Sequence, residues 1–187
     1  MSAFEFLFSL FGLLLGFSIV EVLGGLARTI EARLRPDTTF RMGWLTPLLG
    51  LFVLLDLLSF WGSAWIARDV LTLNSAVLLC TFGFAGAYYL AAHLVFPHDP
   101  AGIADLDDHY WRVHRPVLLA LVALLALQLA WFASVPSLAV RLMAPGVPWR
   151  IGLLAVLMLA AAATRNRHVA AVLLVALSLR YVIEAFG

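Results

Sequence analysis

The sequence predicts an all-α, polytopic membrane bundle of about six spans. Of its 187 residues, 64% are apolar and only 12% charged. Mean hydropathy is +1.00, and apolar stretches recur along the whole chain. These values lie outside the range of soluble domains. A helix needs about 20 apolar residues to cross roughly 30 Å of hydrocarbon. Six segments approach that length: 4–27, 43–67, 70–96, 116–134, 149–164 and 168–186. They leave no room for a separate soluble domain, so residues 1–187 read as one transmembrane unit.

The first segment follows Met-Ser-Ala-Phe-Glu-Phe, which carries an acid where a signal peptide carries arginine. No small-residue cleavage site precedes Arg28, and a retained span is expected. Spacings of three and four put Ser18, Glu21, Gly25 and Arg28 on one helix face. Gly12 and Gly16 form a small-xxx-small pair of the kind that lets another helix approach, extended by Gly24 and Gly25.

The second segment holds Asp56 in the middle of an otherwise apolar or weakly polar run from Trp44 to Ala67. An ionised side chain at that depth is costly unless it is paired, protonated or facing water, so it marks a functional hypothesis. Arg180, about 12 residues into the last segment, is an expected partner at similar depth. That arginine also has Glu184 one turn later. A buried pair of this kind is compatible with a wholly structural role.

The third segment offers Asn74, Ser75, Thr81, Tyr88, Tyr89 and His93 for interhelical hydrogen bonds, with Gly83 and Gly86 opening space. His93 falls at roughly the depth of Glu21, where the two would form a proton relay titrating near neutral pH. The alternative is an interfacial histidine bonded to headgroups or backbone. Cys80, the lone cysteine, excludes an intrachain disulfide and a CxxC motif, and reads as a packed small hydrophobe.

Residues 97–115 form the one polar stretch dense in chemistry and are expected at the interface. Asp105 is placed to cap a helix whose dipole Asp107 and Asp108 complement, with Arg112 and Arg115 following at favourable spacing. Tyr110 and Trp111 suit the interface, and Pro116 is expected to kink the chain as the fourth segment begins. His93 and His98, and His109 and His114, are His-x4-His pairs. His98, Asp105, Asp108, His109 and His114 are therefore candidate ligands for a divalent zinc, iron or manganese ion. Residues five apart do not share a helix face, and a solvated interfacial helix explains the same composition. The fifth segment has only 13 strictly apolar residues, Ile151 to Ala163, and is compatible with a re-entrant hairpin.

The twelve basic residues are all arginine. Arg28, Arg33, Arg35, Arg41, Arg112, Arg115, Arg165 and Arg167 fall on one side of the predicted membrane. Arg68, Arg141, Arg150 and Arg180 fall on the other side or within helices. This bias predicts both termini outside. Trp44, Trp61, Trp65, Trp131 and Trp149 lie near predicted span ends, where indoles prefer to sit. Loop lengths run long then short in each half, as two halves of three spans related by inverted topology would. Ala32-Arg33-Leu34-Arg35-Pro36 resembles Val140-Arg141-Leu142-Met143-Ala144-Pro145, a short match that chance recurrence at interfaces also produces.

A net charge of +1 gives no nucleic-acid footprint. Nucleophile-elbow, P-loop, dinucleotide and HExxH motifs are missing, as are a TVGYG-type filter and an arginine ladder. The expectation is a non-enzymatic protein that moves a small ion or solute, with Asp56, Glu21, His93 and Arg180 as pathway residues. A non-catalytic assembly subunit and a membrane metalloenzyme using residues 93–114 are the alternatives. A chain this short is expected to form a homodimer or larger assembly, with Gly12 and Gly16 as one contact. Its composition is compatible with a bacterial inner membrane.

Overall fold

The computed structural model describes residues 3–35, 40–71 and 74–186. Met1 and Ser2 of the predicted start, Pro36 of the internal match, and Thr72 and Leu73 of the third predicted span lie outside them. The described residues form α1 (Ala3–Leu34), α2 (Leu45–Ile66), α3 (Ser75–Val95), α4 (Leu106–Ser134), α5 (Pro136–Leu142), α6 (Val147–Ala163) and α7 (Arg167–Phe186). A single 3-10 turn, Pro100–Gly102, lies between α3 and α4. The fold is an all-helical bundle of membrane-spanning character.

By length and apolarity, α1, α2, α3 and α4 each suffice to cross a membrane, and α5 with α6, bent by 76° to each other, add a fifth if the pair is counted as one span rather than a re-entrant loop. The count is four to five among the described residues, against the six expected. The fifth predicted span, 149–164, is α6, preceded by the short α5 between Pro136 and the break at Gly146, and the sixth, 168–186, is α7. Gly146 takes φ +85°, a left-handed conformation that favours glycine.

Helix ends follow local chemistry rather than the apolar runs. The Asn74 side chain accepts from Val77 N–H at 2.8 Å and starts α3 at Ser75. Asp105 caps α4 by accepting from Asp107 N–H at 2.9 Å. That helix begins ten residues before Pro116 and runs through it, so the polar stretch and the fourth span share one helix. Helix α1 outruns its apolar stretch to Leu34, because Thr29 returns its hydroxyl to the Gly25 carbonyl at 2.8 Å and Ala32 packs with Phe40 and Leu106.

Helix α2 is the most enclosed, with 44% of its apolar window buried against 22–28% for α1, α3 and α4. It packs against α1, α3, α4 and α7, while α1 lies along α3 and α6 bridges α4 to α7. The two halves are packed differently: α1 embraces α3, and the corresponding α4 and α7 share no comparable contact. Leu15, Val22, Leu49, Phe52, Leu118, Leu121, Met158, Leu174 and Leu177 form the interior. Leu13, Phe17, Val20, Leu79, Val156 and Val172 point outward, a surface suited to lipid rather than water.

Phe96 packs closely against two helices. An added Cβ on Gly25 would lie 2.5 Å from its Cβ, and one on Gly50 would lie 2.8 Å from its Cε2. Two glycines, one on α1 and one on α2, form the notch that admits this ring.

Candidate functional site

Asp56 lies near the midpoint of α2 on the face that carries Leu49, Phe52 and Val53, so the helix turns it into the bundle with its apolar neighbours. Only 7% of it is exposed. Tyr88 of α3 donates to its Oδ2 at 2.9 Å, and Tyr181 of α7 donates to its Oδ1 at 2.5 Å. Both tyrosines are buried, which satisfies the rule that a buried phenol finds an acceptor. Ser59 returns its hydroxyl to the Asp56 carbonyl at 3.0 Å.

The expected Asp56–Arg180 ion pair is replaced by this tyrosine clamp. Consecutive helical residues point about 100° apart, so Tyr181 and Arg180 cannot both face α2. Tyr181 takes that position. Arg180 donates from Nη2 to Glu184 Oε1 at 3.0 Å and lies 5.1 Å from the Tyr181 ring centre. Its Nε and Nη1 are buried with no hydrogen-bond partner among the described residues.

Glu21 and His93 do meet. His93 Nδ1 lies 3.0 Å from Glu21 Oε1, and Arg28 Nη2 lies 3.6 Å from the same oxygen. Ser18 and Gly25 face the interior while Glu21 and Arg28 sit on the flank, so the face inferred from spacing is divided. Tyr88 and His93 are separated on α3 by about 140° of rotation and about 7.5 Å of rise. The four expected pathway residues therefore form two clusters, one around α2 and α7 and one between α1 and α3.

The proposed metal ligands are dispersed. Asp105 is the α4 cap, Asp108 and His98 are exposed, and His109 Nε2 donates to the Leu94 carbonyl at 3.3 Å. His114 is buried, stacked on Tyr110 at 4.8 Å, and donates from Nδ1 to the Tyr110 carbonyl at 3.1 Å. Among the described residues, no three His, Cys, Asp or Glu side chains are grouped to hold a metal ion. Gly12 meets Trp61 of α2, with an added Cβ 3.1 Å from its Cζ2, so it serves packing within the chain. Gly16 is open, with no heavy atom within 4 Å of an added Cβ. Cys80, expected to be packed, is exposed.

A largely apolar cavity of about 320 Å³ opens among α1, α2, α3 and α4, at the end of the bundle where α2 finishes. Phe8, Phe11, Phe60, Phe84 and Trp131 line it, with Ser63, Thr81 and Gln128 as its polar points. Phe60 stacks on Phe84 at 4.5 Å, and both contact Tyr88, at 5.4 and 5.5 Å. The aromatic wall of the cavity is thus one ring removed from the Asp56 carboxyl. Comparison with known protein families, curated proteins and solved structures finds no match for the chain.

Sequence reasoning missed Tyr181 and the tie made by Asp107. Asp107 is almost fully buried, accepts Leu45 N–H at 3.1 Å and pairs with Arg167 Nη2 at 2.6 Å. The signal for Tyr181 was available, since an intramembrane phenol needs an acceptor. The partners of Asp107 are 62 and 60 residues away, and nothing local names them.

Proposed function

We propose that this protein is a transporter that couples protonation of Asp56 to movement of a small, mainly apolar solute. The observation that carries this reading is a central carboxyl held by two hydroxyls, with no cation within ion-pair distance among the described residues, beside an aromatic cavity. Either protonation state of such a carboxyl is satisfied in place. The ionised form accepts from both phenols; the neutral form donates its own proton to one phenolic oxygen and accepts from the other. A solute pressing on Phe60 and Phe84 would shift Tyr88 and alter the bonding that decides between those states. The arginine bias favours both termini on the outer side, and the composition a bacterial inner membrane. An assembly of two or more copies would complete a pathway that one small bundle only begins.

Proteoliposomes loaded with a pH-sensitive dye test the proposal, with wild type compared against Asp56→Asn and Phe84→Ala. Solute-dependent proton flux in wild type, abolished by Asp56→Asn and weakened by Phe84→Ala in folded protein, is the expected result. Flux unchanged by Asp56→Asn would remove the carboxyl from the mechanism. No solute-dependent flux, with the clamp still required for folding, would favour the assembly-subunit reading.

A further inference from the structure

At the opposite end of the bundle, where α1 ends and α2, α4 and α7 begin, the connection Phe40–Trp44 is strapped to the start of α4. Arg41 N–H donates to the Ala104 carbonyl at 2.9 Å, and Leu106 N–H donates to the Arg41 carbonyl at 3.0 Å. This fixes the backbone of Arg41 beside a cavity of about 440 Å³, whose charged walls are Arg33, Arg41, Arg167 and Asp105. Arg167 is positioned by Asp107. Among the described residues, Arg33 and Arg41 have no carboxylate within ion-pair distance. The described walls carry three guanidinium groups against Asp105, with Asp107 paired to Arg167, and this excess of positive charge suits one phosphodiester.

The helix N-termini here do not supply that charge. Leu45 N–H is taken by Asp107, and the N–H groups of His168 and Val169 are taken by Asn166 Oδ1 at 2.9 and 3.4 Å. An anion in this cavity would be held by arginine, whose planar fork suits phosphate oxygens.

A second cavity of about 520 Å³ adjoins the first, shares Trp44 and Arg167 with it, and is walled by Leu45, Leu48, His168 and Ala171. Both α2 and α7 start at this level and run into the bundle. The change from Arg167 to Leu48 and Ala171 is therefore a change from headgroup depth toward hydrocarbon depth. Trp44, 76% exposed, stands where the cavities join, as an indole does at the headgroup boundary. A free phosphate would use the first cavity alone. A phospholipid would use both.

We infer that Arg33, Arg41 and Arg167, with the trough between the starts of α2 and α7, bind one anionic phospholipid by its phosphate and the root of an acyl chain. Charge complementarity and the polar-to-apolar sequence of the walls select a lipid of net charge −1 over a zwitterionic one.

Native mass spectrometry of the full chain released from detergent tests this, with phosphatidylglycerol, phosphatidylcholine and inorganic phosphate as probes. One phosphatidylglycerol should remain bound, with phosphatidylcholine retained far less and inorganic phosphate competing poorly. Each surface arginine is worth roughly a 5-fold effect near a membrane, so Arg33→Gln with Arg41→Gln should weaken retention roughly 25-fold. The Arg33→Lys with Arg41→Lys pair, which restores charge without the planar fork, should recover only part of it. Ala171→Leu, which fills the trough, should weaken lipid retention and leave phosphate binding unchanged. Equal retention of both lipids, or no effect of the double glutamine variant, would overturn the inference. Competition by inorganic phosphate at the affinity of the lipid, with no effect of Ala171→Leu, would show a free-anion site and also overturn it.

Discussion

Tyr181 reaches across 125 residues of sequence to place its hydroxyl 2.5 Å from Asp56 Oδ1, tying the last helix to the middle of α2. With Tyr88 on the other oxygen, the most enclosed helix of the bundle is held from two sides through one carboxyl. Hydrogen bonds between membrane helices contribute about 0.6 kcal/mol on average and up to about 1.7. Leaving a buried polar group unsatisfied costs about 1–3 kcal/mol. Tyr88→Phe or Tyr181→Phe alone should therefore destabilise by about 0.5–1.5 kcal/mol, and the double variant by more than the sum of the two. Thermal unfolding in detergent measures this. Strict additivity would mean that Asp56 finds another donor, and the clamp would lose its significance.

The legibility of this site was uneven for physical reasons. Asp56 stood out because charge in hydrocarbon is expensive, an argument needing no partner. For its partner the same reasoning offered Arg180, with Glu184 as that arginine's alternative; the structure takes the alternative and gives Asp56 the neighbouring Tyr181, which charge reasoning passes over. Charge identifies a residue in need, but helix rotation decides which neighbour answers it. The meeting of Glu21 and His93 was readable from depth, since α1 and α3 both place these residues near the same end of the bundle. The helix start at Leu106 was readable from Asp105, whose side chain acts on a bond two residues away, whereas Asn74, expected to bond across helices, instead caps α3 at Ser75. The predicted spans 149–164 and 168–186 return as α6 and α7, whereas α5 and the 76° bend that joins it to α6 were not readable, because hydropathy carries no information on a change of direction.

The Glu21–His93 contact differs in kind from the Asp56 clamp. The His93 side chain is 47% exposed and Glu21 also contacts Arg28, so neither loses everything when the other is removed. Exposed ion pairs contribute about 0.2–1 kcal/mol. A double-mutant cycle with Glu21→Gln and His93→Ala should give a coupling energy below about 1 kcal/mol. A coupling near 3 kcal/mol would identify a desolvated pair and give the α1–α3 cluster the weight assigned here to Asp56.

Asp107 and Arg167 should respond asymmetrically. The carboxylate is buried and the arginine side chain is 57% exposed. Arg167→Ala leaves a buried charge with the Leu45 N–H as its main support, whereas Asp107→Asn keeps an acceptor for that N–H and releases Arg167 to solvent. Breaking a fully buried pair costs about 3–5 kcal/mol, and the exposure of Arg167 reduces this to about 2–3. Asp107→Asn should cost about 1 kcal/mol, and adding it to Arg167→Ala should recover stability. Equal losses from the two single variants would show that the ion pair, rather than burial of the carboxylate, sets the energy.

Phe96 allows a sharper test, because its two glycine neighbours meet different parts of it. At Gly25 the obstructing atom is the Phe96 Cβ, which is fixed to the backbone; at Gly50 it is the ring edge, which a small rotation can move. Overpacking costs about 1–3 kcal/mol, and alanine recovers up to about 1 kcal/mol of helix propensity relative to glycine. Gly25→Ala should lie near the upper end of that cost, while Gly50→Ala should fall close to neutral. Phe96→Ala removes the ring and retains the Cβ, at a cost of its own of about 3–5 kcal/mol. In that background Gly50→Ala should carry no penalty, whereas Gly25→Ala should keep most of its own, since the atom it strikes remains. Rescue of both glycine variants by Phe96→Ala would mean that α1 and the chain at Phe96 can separate locally. Rescue of Gly50→Ala alone would place the rigid contact of the bundle between the backbones at Gly25 and Phe96.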